Sequence, residues 1–268
     1  MEASLMMGAH HAVTGAAAWI AVTATAGHGL GLFPVTPTGA LAGTLLCAGA
    51  ALLPDADHGS ATISNSVPVV GKFVTSSISR ASGGHRHGLH SLLAIACVWI
   101  LATGLGLLVW QPTGWAEPIS VGPAVMTAMT VAFAAKALRL AKRWALAWLI
   151  GLAVAAFIAL YAPEQQAWFV VCVALGYAVH LLGDFLTTGG LPLLWPWRPK
   201  PPPLWRRTPL RHIWTSGGYM ALPVLGNAGS FREWVLLLPL TAYVVYGMLF
   251  AALAAARGST SLPALFGW

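Results

Sequence analysis

The stretch HLLGDFLTTGGLPLLWPW, His180 to Trp197, closes an apolar run that begins near Ala167 and sets an imidazole and a carboxylate four residues apart. At that spacing two helical side chains share one face with Cβ atoms roughly 6 Å apart, a gap that one metal ion or one shared proton bridges. An apolar helix of span length with His180 and Asp184 near its end reads as a membrane crossing with a site at its mouth. The chain has only three aspartates, Asp55, Asp57 and Asp184, and each abuts a hydrophobic segment instead of lying in a polar loop.

The rest of the chain is of the same kind. Of its 268 residues 57% are hydrophobic and 8% charged, against roughly 25% charged in soluble domains, and the mean hydropathy is +0.74. This is the composition of an all-α, polytopic transmembrane helical bundle forming a single integral-membrane domain over 1–268. Thirteen tryptophans and five tyrosines suit interfacial belts, and 29 glycines suit close helix packing. The net charge of +7 is spread over short loops without a DNA-reading motif, so anionic headgroups are the expected partner and nucleic acid is not. Cys47, Cys97 and Cys172 stand singly in apolar runs and read as packing residues. The amino terminus carries Glu2 and no basic run, so a cleaved signal peptide is not expected.

Seven apolar segments follow one another, at about 10–27, 39–53, 90–110, two within 121–162 divided by KALRLAKR at 136–143, then 167–187 and 234–256. The first two are short for a span of about 20 residues. Between the second and third lies a more polar interfacial loop or helix, 59–84, where PVVGKFVTSSISRA has amphipathic character. A basic, proline-rich loop occupies 198–233; its RPKPPPLWRRTPLRH stretch favours extended polyproline geometry and carries Arg198, Lys200, Arg206, Arg207 and Arg211. Seven crossings put 13 of the 14 basic residues on one side, leaving Arg257 opposite, so the amino terminus and these loops are expected in the cytoplasm.

That topology gathers His10 and His11, Asp55 to His58, His85 to His90, and His180 with Asp184 at one membrane face. Left without partners such groups are costly: an aspartate at the centre of a membrane helix costs roughly 2.5–3.5 kcal/mol on insertion scales, less towards the interface. A divalent cation compensates, since imidazole and carboxylate are the usual zinc ligands and carboxylates also suit magnesium or manganese. One or two ions are consistent with three aspartates.

Plainer roles exist for each piece. His180 and Asp184 would also serve as a hydrogen-bonded pair fastening two helices, LLPDADH as a helix end, and HRHGLHS as a solvated basic loop. Independent caps and loops have no reason to collect on one face. His10 and His11 point about 100° apart on a helix, so one of them is expected at the site; His87 reads equally well as a surface residue, and His28 and His212 read as interfacial or surface residues. Arg86 offers a guanidinium matched to phosphate oxygens. Ser91, Thr187 and Thr188 are expected to cap helices, and no GxSxG or phosphate-cradling glycine loop is present.

The order of these motifs resembles a known family. A histidine four residues before a glycine (His11, Gly15), then LLPDADH, then GHRxxxHS at 84–91, then GYAVHLLGDFLTTGGLPLLWPW at 176–197, is similar to the YdjM-like bacterial inner-membrane proteins described as membrane-bound metal-dependent hydrolases. The resemblance implies His11, Asp55, Asp57, His58, His85, His90, His180 and Asp184 as the metal-binding set. Family members tend to have glycine after HR and threonine before HS, where this chain has His87 and Leu89. More distantly, the pattern is similar to zinc-dependent phospholipase C, an all-helical phosphodiesterase.

The expectation is therefore a multi-pass inner-membrane hydrolase whose divalent metal, zinc first, lowers the pKa of a bound water towards about 7. Asp57, Arg86 and His90 are the expected catalytic residues, and a phospholipid or lipid-linked phosphate ester at headgroup depth is the expected substrate. An ion or metal transporter and a metal-stabilised scaffold without catalysis are the alternatives; a transporter should place ionisable groups near the midplane or on both sides.

Overall fold

Apolar sequence without water to satisfy its backbone must close its hydrogen bonds internally, and the chain does so as helices. The computed structural model describes residues 2–24, 29–57, 63–66, 70–83, 87–115, 118–161 and 165–258. Among these residues eight α-helices run α1 (Glu2–Thr23), α2 (Pro37–Ala50), α3 (Val70–Ser82), α4 (Leu92–Gly106), α5 (Val121–Ala137), α6 (Trp144–Tyr161), α7 (Gln165–Phe185) and α8 (Phe231–Ala256). Among the described residues there is no sheet, only isolated bridges.

Local chemistry sets the boundaries. Thr36 caps α2, its Oγ1 accepting from the Gly39 N–H at 3.0 Å, with Pro37 in the first turn, where its missing N–H costs nothing. Ser91 caps α4 the same way through the Ala94 N–H. The KALRLAKR segment breaks the long apolar run as expected: Arg139 turns at φ +60°, and Lys136 Nζ donates to the Lys142 carbonyl at 2.6 Å.

The helix α2 is the centre of the bundle. Its small side chains are buried along most of its length, and α1, α5 and α7 pack around it. Trp19, Leu46, Trp168 and Phe169 fill the space between them. The outer helices present large apolar side chains outward: Ile100 on α4 is 70% exposed, Leu149 on α6 63% and Leu238 on α8 69%. An apolar exterior of that extent belongs against lipid.

Among the described residues three helices are long and apolar enough to cross a membrane: Pro37–Ala56, where a 3-10 turn extends α2, Ala167–Phe185 and Phe231–Ala256. Three more apolar helices, Leu92–Gly106, Val121–Ala137 and Trp144–Leu160, are shorter. At 1.5 Å per residue they reach only ~22–27 Å against a hydrocarbon core of ~30 Å.

Two expectations need correction. The RPKPPPLWRRTPLRH stretch is not extended throughout: 3-10 turns form at Trp205–Arg207 and Pro209–His212. The Trp205 and Trp214 rings pack at 6.0 Å and Trp214 Nε1 donates to the Pro199 carbonyl, which folds the loop back on itself. Cys97 is exposed on α4, whereas Cys47 and Cys172 are buried packing residues, the Cys172 thiol lying 3.2 Å from the Gly43 carbonyl.

Candidate metal centre

Two glycines bring three helices to one place. A Cβ on Gly15 of α1 would lie 2.7 Å from the Cys47 carbonyl oxygen, and one on Gly176 of α7 would lie 2.6 Å from the same atom. Only glycine permits that approach, so α1 and α7 both close onto the last turn of α2. His11 stands one helical turn before Gly15, and His180 one turn after Gly176. Both imidazoles are thereby set beside the 3-10 turn Leu53–Asp57, which carries Asp55. Gly183 completes the fit, because a Cβ there would press on the His11 ring at 3.2 Å. The His11 and His180 rings stack with centroids 3.7 Å apart.

His90 comes from the loop ahead of α4. The Tyr177 hydroxyl donates to the Leu89 carbonyl at 2.6 Å, and the Ser91 hydroxyl to the Gly88 carbonyl at 2.6 Å. The Leu92 N–H donates to the Leu193 carbonyl, tying this loop to the segment after α7. Held in this way, His90 is fully buried with its ring 5.4 Å from that of His180.

The result is three imidazole Nε2 atoms facing two carboxylates. Asp184 lies 3.5 Å from His11, 3.5 Å from His90 and 3.7 Å from His180; Asp55 lies 3.8 Å from both His90 and His180. These separations exceed the ~2.7–3.2 Å of an N–H···O hydrogen bond. The two at 3.5 Å match, and the three at 3.7–3.8 Å lie just above, the roughly 3.3–3.6 Å that separates ligand atoms placed tetrahedrally at 2.0–2.2 Å around one ion. Two overlapping triads have ligand atoms mutually within 4.8 Å, His11 with Asp55 and His180, and His90 with His180 and Asp184.

The orientation of His180 supports the same reading. Its Nδ1 donates to the Ala51 carbonyl at 2.7 Å, which leaves Nε2 with its lone pair towards the carboxylates. That Nε2 is buried without a hydrogen-bond partner, an expensive state for a lone pair unless a cation takes it. The donor set therefore fits a divalent ion, and Asp55 with Asp184 would neutralise one.

His10 turns the other way. Its Nδ1 contacts the Glu233 carboxylate at the start of α8, and its ring meets Trp234 edge-on at 4.8 Å. The other Glu233 oxygen accepts from the Gly229 N–H at 2.6 Å. Sequence reasoning did not single out Glu233 as a site residue, and no spacing signal links residues 223 positions apart. A cavity of about 40 Å³ adjoins the cluster, lined by His10, His11, Asp184 and Glu233 together with leucines of α8.

The structure thus brings together His11, Asp55, His90, His180 and Asp184. The side chain of Asp57 and the whole of His58, His85, Arg86 and His28 lie outside the described residues. His87 is half-buried, its Nε2 3.5 Å from the Tyr219 hydroxyl. His212 is exposed beside Arg211. Ser91 caps α4 as expected, while the Thr187 hydroxyl donates to the Asp184 carbonyl at 2.8 Å and that of Thr188 to Asn227 Oδ1 at 2.6 Å.

Among known proteins, the family model described as YdjM inner membrane protein matches residues 6–256. No curated protein and no solved structure matches the chain.

Proposed function

Since the chain belongs to the YdjM family of inner membrane proteins, we propose that it is a divalent-metal-dependent hydrolase, zinc first, acting on a phospholipid or lipid-linked phosphate ester at the cytoplasmic membrane face. It is a multi-pass helical membrane protein with two overlapping His/Asp clusters suited to a metal, and the reaction is the step beyond that. The observation that carries the reading is the set of five imidazole–carboxylate separations of 3.5–3.8 Å, longer than the usual ~2.7–3.2 Å of an N–H···O bond and short enough for a shared ion.

In this reading His11, Asp55, His90, His180 and Asp184 hold the ion, with Asp57, His58 and His85 close in sequence to complete or assist the set. A bound divalent ion supplies Lewis acidity, polarising a phosphoryl oxygen and making water a nucleophile near neutral pH. The chain's own contribution is placement. The Ala51 carbonyl fixes the His180 tautomer, and Gly15, Gly176 and Gly183 set the ring positions. Burial of His90 and His180 keeps bulk water away from the ligands. Arg86 would take a phosphate oxygen, and His90 and Asp57 would handle the proton of the attacking water. The exposed Arg198, Lys200, Arg207 and Arg211 would meet anionic headgroups.

The test is elemental analysis of the purified protein followed by assay on phosphatidic acid and other lipid phosphates in mixed micelles. One ion per chain or more is expected, with phosphate release that stops on chelation and returns with added metal while the helical signal is unchanged. Metal binding without release of any phosphate or acyl product would sink the hydrolase reading and leave a scaffold; uptake into proteoliposomes would support a transporter.

A further inference from the structure

The cavity beside the cluster has two kinds of wall. His10, His11, Thr14, Asp184 and Glu233 form its polar end, and Leu236, Leu237 and Leu240 of α8 its apolar side. The leucines belong to a helix whose halves are held differently. All the buried residues of α8, Gly247, Ala251 and Ala254, lie in its second half, where Gly247 meets Ile20 of α1 and Ala251 and Ala254 pack with Ala40 of α2. None lies ahead of Pro239, and the polar contact that joins this first half to α1 is the His10–Glu233 pair. Pro239 has no N–H to return to the Val235 carbonyl, which weakens the helix where the two halves meet.

Approach from the water side is only partly restricted, since the Asp55 side chain keeps 27% exposure. The segment after α7 folds over this end of the bundle: Leu222 and Leu225 donate to the Phe185 and Leu186 carbonyls, and Thr188 to that of Gly226. His90 and His180 are fully buried and Asp184 nearly so. On the lipid side, among the described residues, the first half of α8 borders the cavity, with Leu236, Leu237 and Leu240 lining it and Val235 and Leu238 facing outward.

We propose that this half of α8, ahead of Pro239, is a lateral gate, and that the crevice behind it admits a phosphate-headed membrane lipid sideways from the bilayer. The phosphate enters the polar end and the hydrocarbon chain lies along Leu236, Leu237 and Leu240. The cavity, at about 40 Å³, has room for a few waters and not for a chain, so this is the closed arrangement. Opening swings the first half of α8 about Pro239 and breaks the His10–Glu233 contact. The inference rests on the reading that the site acts on a membrane lipid, and deepens it by giving the route.

The experiment uses the full chain in vesicles containing phosphatidic acid with a diazirine on its acyl chain, close to the glycerol. After irradiation, adducts are mapped by mass spectrometry. Adducts on Thr14 and Gly183, which line the crevice behind α8, are expected beside those on outward residues. Glu233→Gln should raise the inner-wall adducts and Pro239→Ala should lower them. Adducts confined to outward residues such as Leu238 and Val245, in the wild type and both variants, would overturn the gate. No turnover is needed for this readout. Inner-wall labelling without hydrolysis therefore keeps the gate and dismisses the hydrolase, and hydrolysis with outward labelling alone does the reverse.

Discussion

At the scale of single residues, Asp184 is the group on which the cluster closes, because one carboxylate faces His11, His90 and His180 at 3.5–3.7 Å. Asp184→Asn keeps the volume and removes the charge. It should reduce metal affinity by more than the roughly 10–100-fold typical of losing a partner behind a ligand. Thermal melts with and without added zinc read this directly: an ion that binds only the folded chain raises the midpoint in proportion to ln(1 + [Zn]/Kd), so the wild type should shift and the variant should shift little. An equal shift in both would remove Asp184 from the ligand set. The adjacent pair His10 and His11 shows how far residues alone could be read. Their 100° divergence on a helix implies that one of them faces the site, but the choice is made by tertiary partners. Asp184 and the His180 ring take His11, and Glu233 takes His10.

Among elements, the contact of α1 and α7 with α2 decides whether the ligands meet. Gly176→Val would drive a side chain into the Cys47 carbonyl, and overpacking of this kind costs about 1–3 kcal/mol; both the melting temperature and the metal content should fall. Gly104→Ala is the control, since a Cβ there meets nothing within 4 Å. Replacing a helical glycine in free space should be neutral or stabilise by about 0.5–1 kcal/mol, with metal content unchanged. Much of this level is visible in the chain itself: His11 with Gly15, Gly176 with His180, and the break at KALRLAKR are local patterns with local causes. The shared carbonyl is not, because it depends on two helices remote in sequence reaching the same atom. The folded loop 198–212 was also hidden, since ring packing between Trp205 and Trp214 and the Trp214–Pro199 hydrogen bond outweigh the extended preference of three prolines.

For the whole molecule, the number of crossings sets which side each loop meets. The helices α4, α5 and α6 are shorter than the hydrocarbon core by about 3–8 Å, a mismatch that local thinning absorbs at fractions of a kcal/mol per ångström. Their apolar outward faces, with Leu101 and Leu152 more than half exposed, would cost far more in water than that thinning costs in lipid. All three are therefore expected to cross. Because they number three, their crossing together with α7 returns the chain to the face where α2 ends, as the 3.8 Å between Asp55 and His180 requires. With seven crossings Arg211 lies in the cytoplasm with the other basic loops and Arg257 lies outside. If these three lay along the surface, α7 would end on the face opposite the end of α2, and Asp184 could not lie 3.5 Å from His11; with all three crossing, only the orientation of the whole chain remains to be read. Arg211→Cys and Arg257→Cys, each exposed, placed singly in a chain with Cys97→Ser, report that orientation through a membrane-impermeant maleimide. In intact spheroplasts the position 257 thiol should react and the position 211 thiol should react only after permeabilisation. The opposite pattern would reverse the topology and move the His/Asp cluster to the outer face.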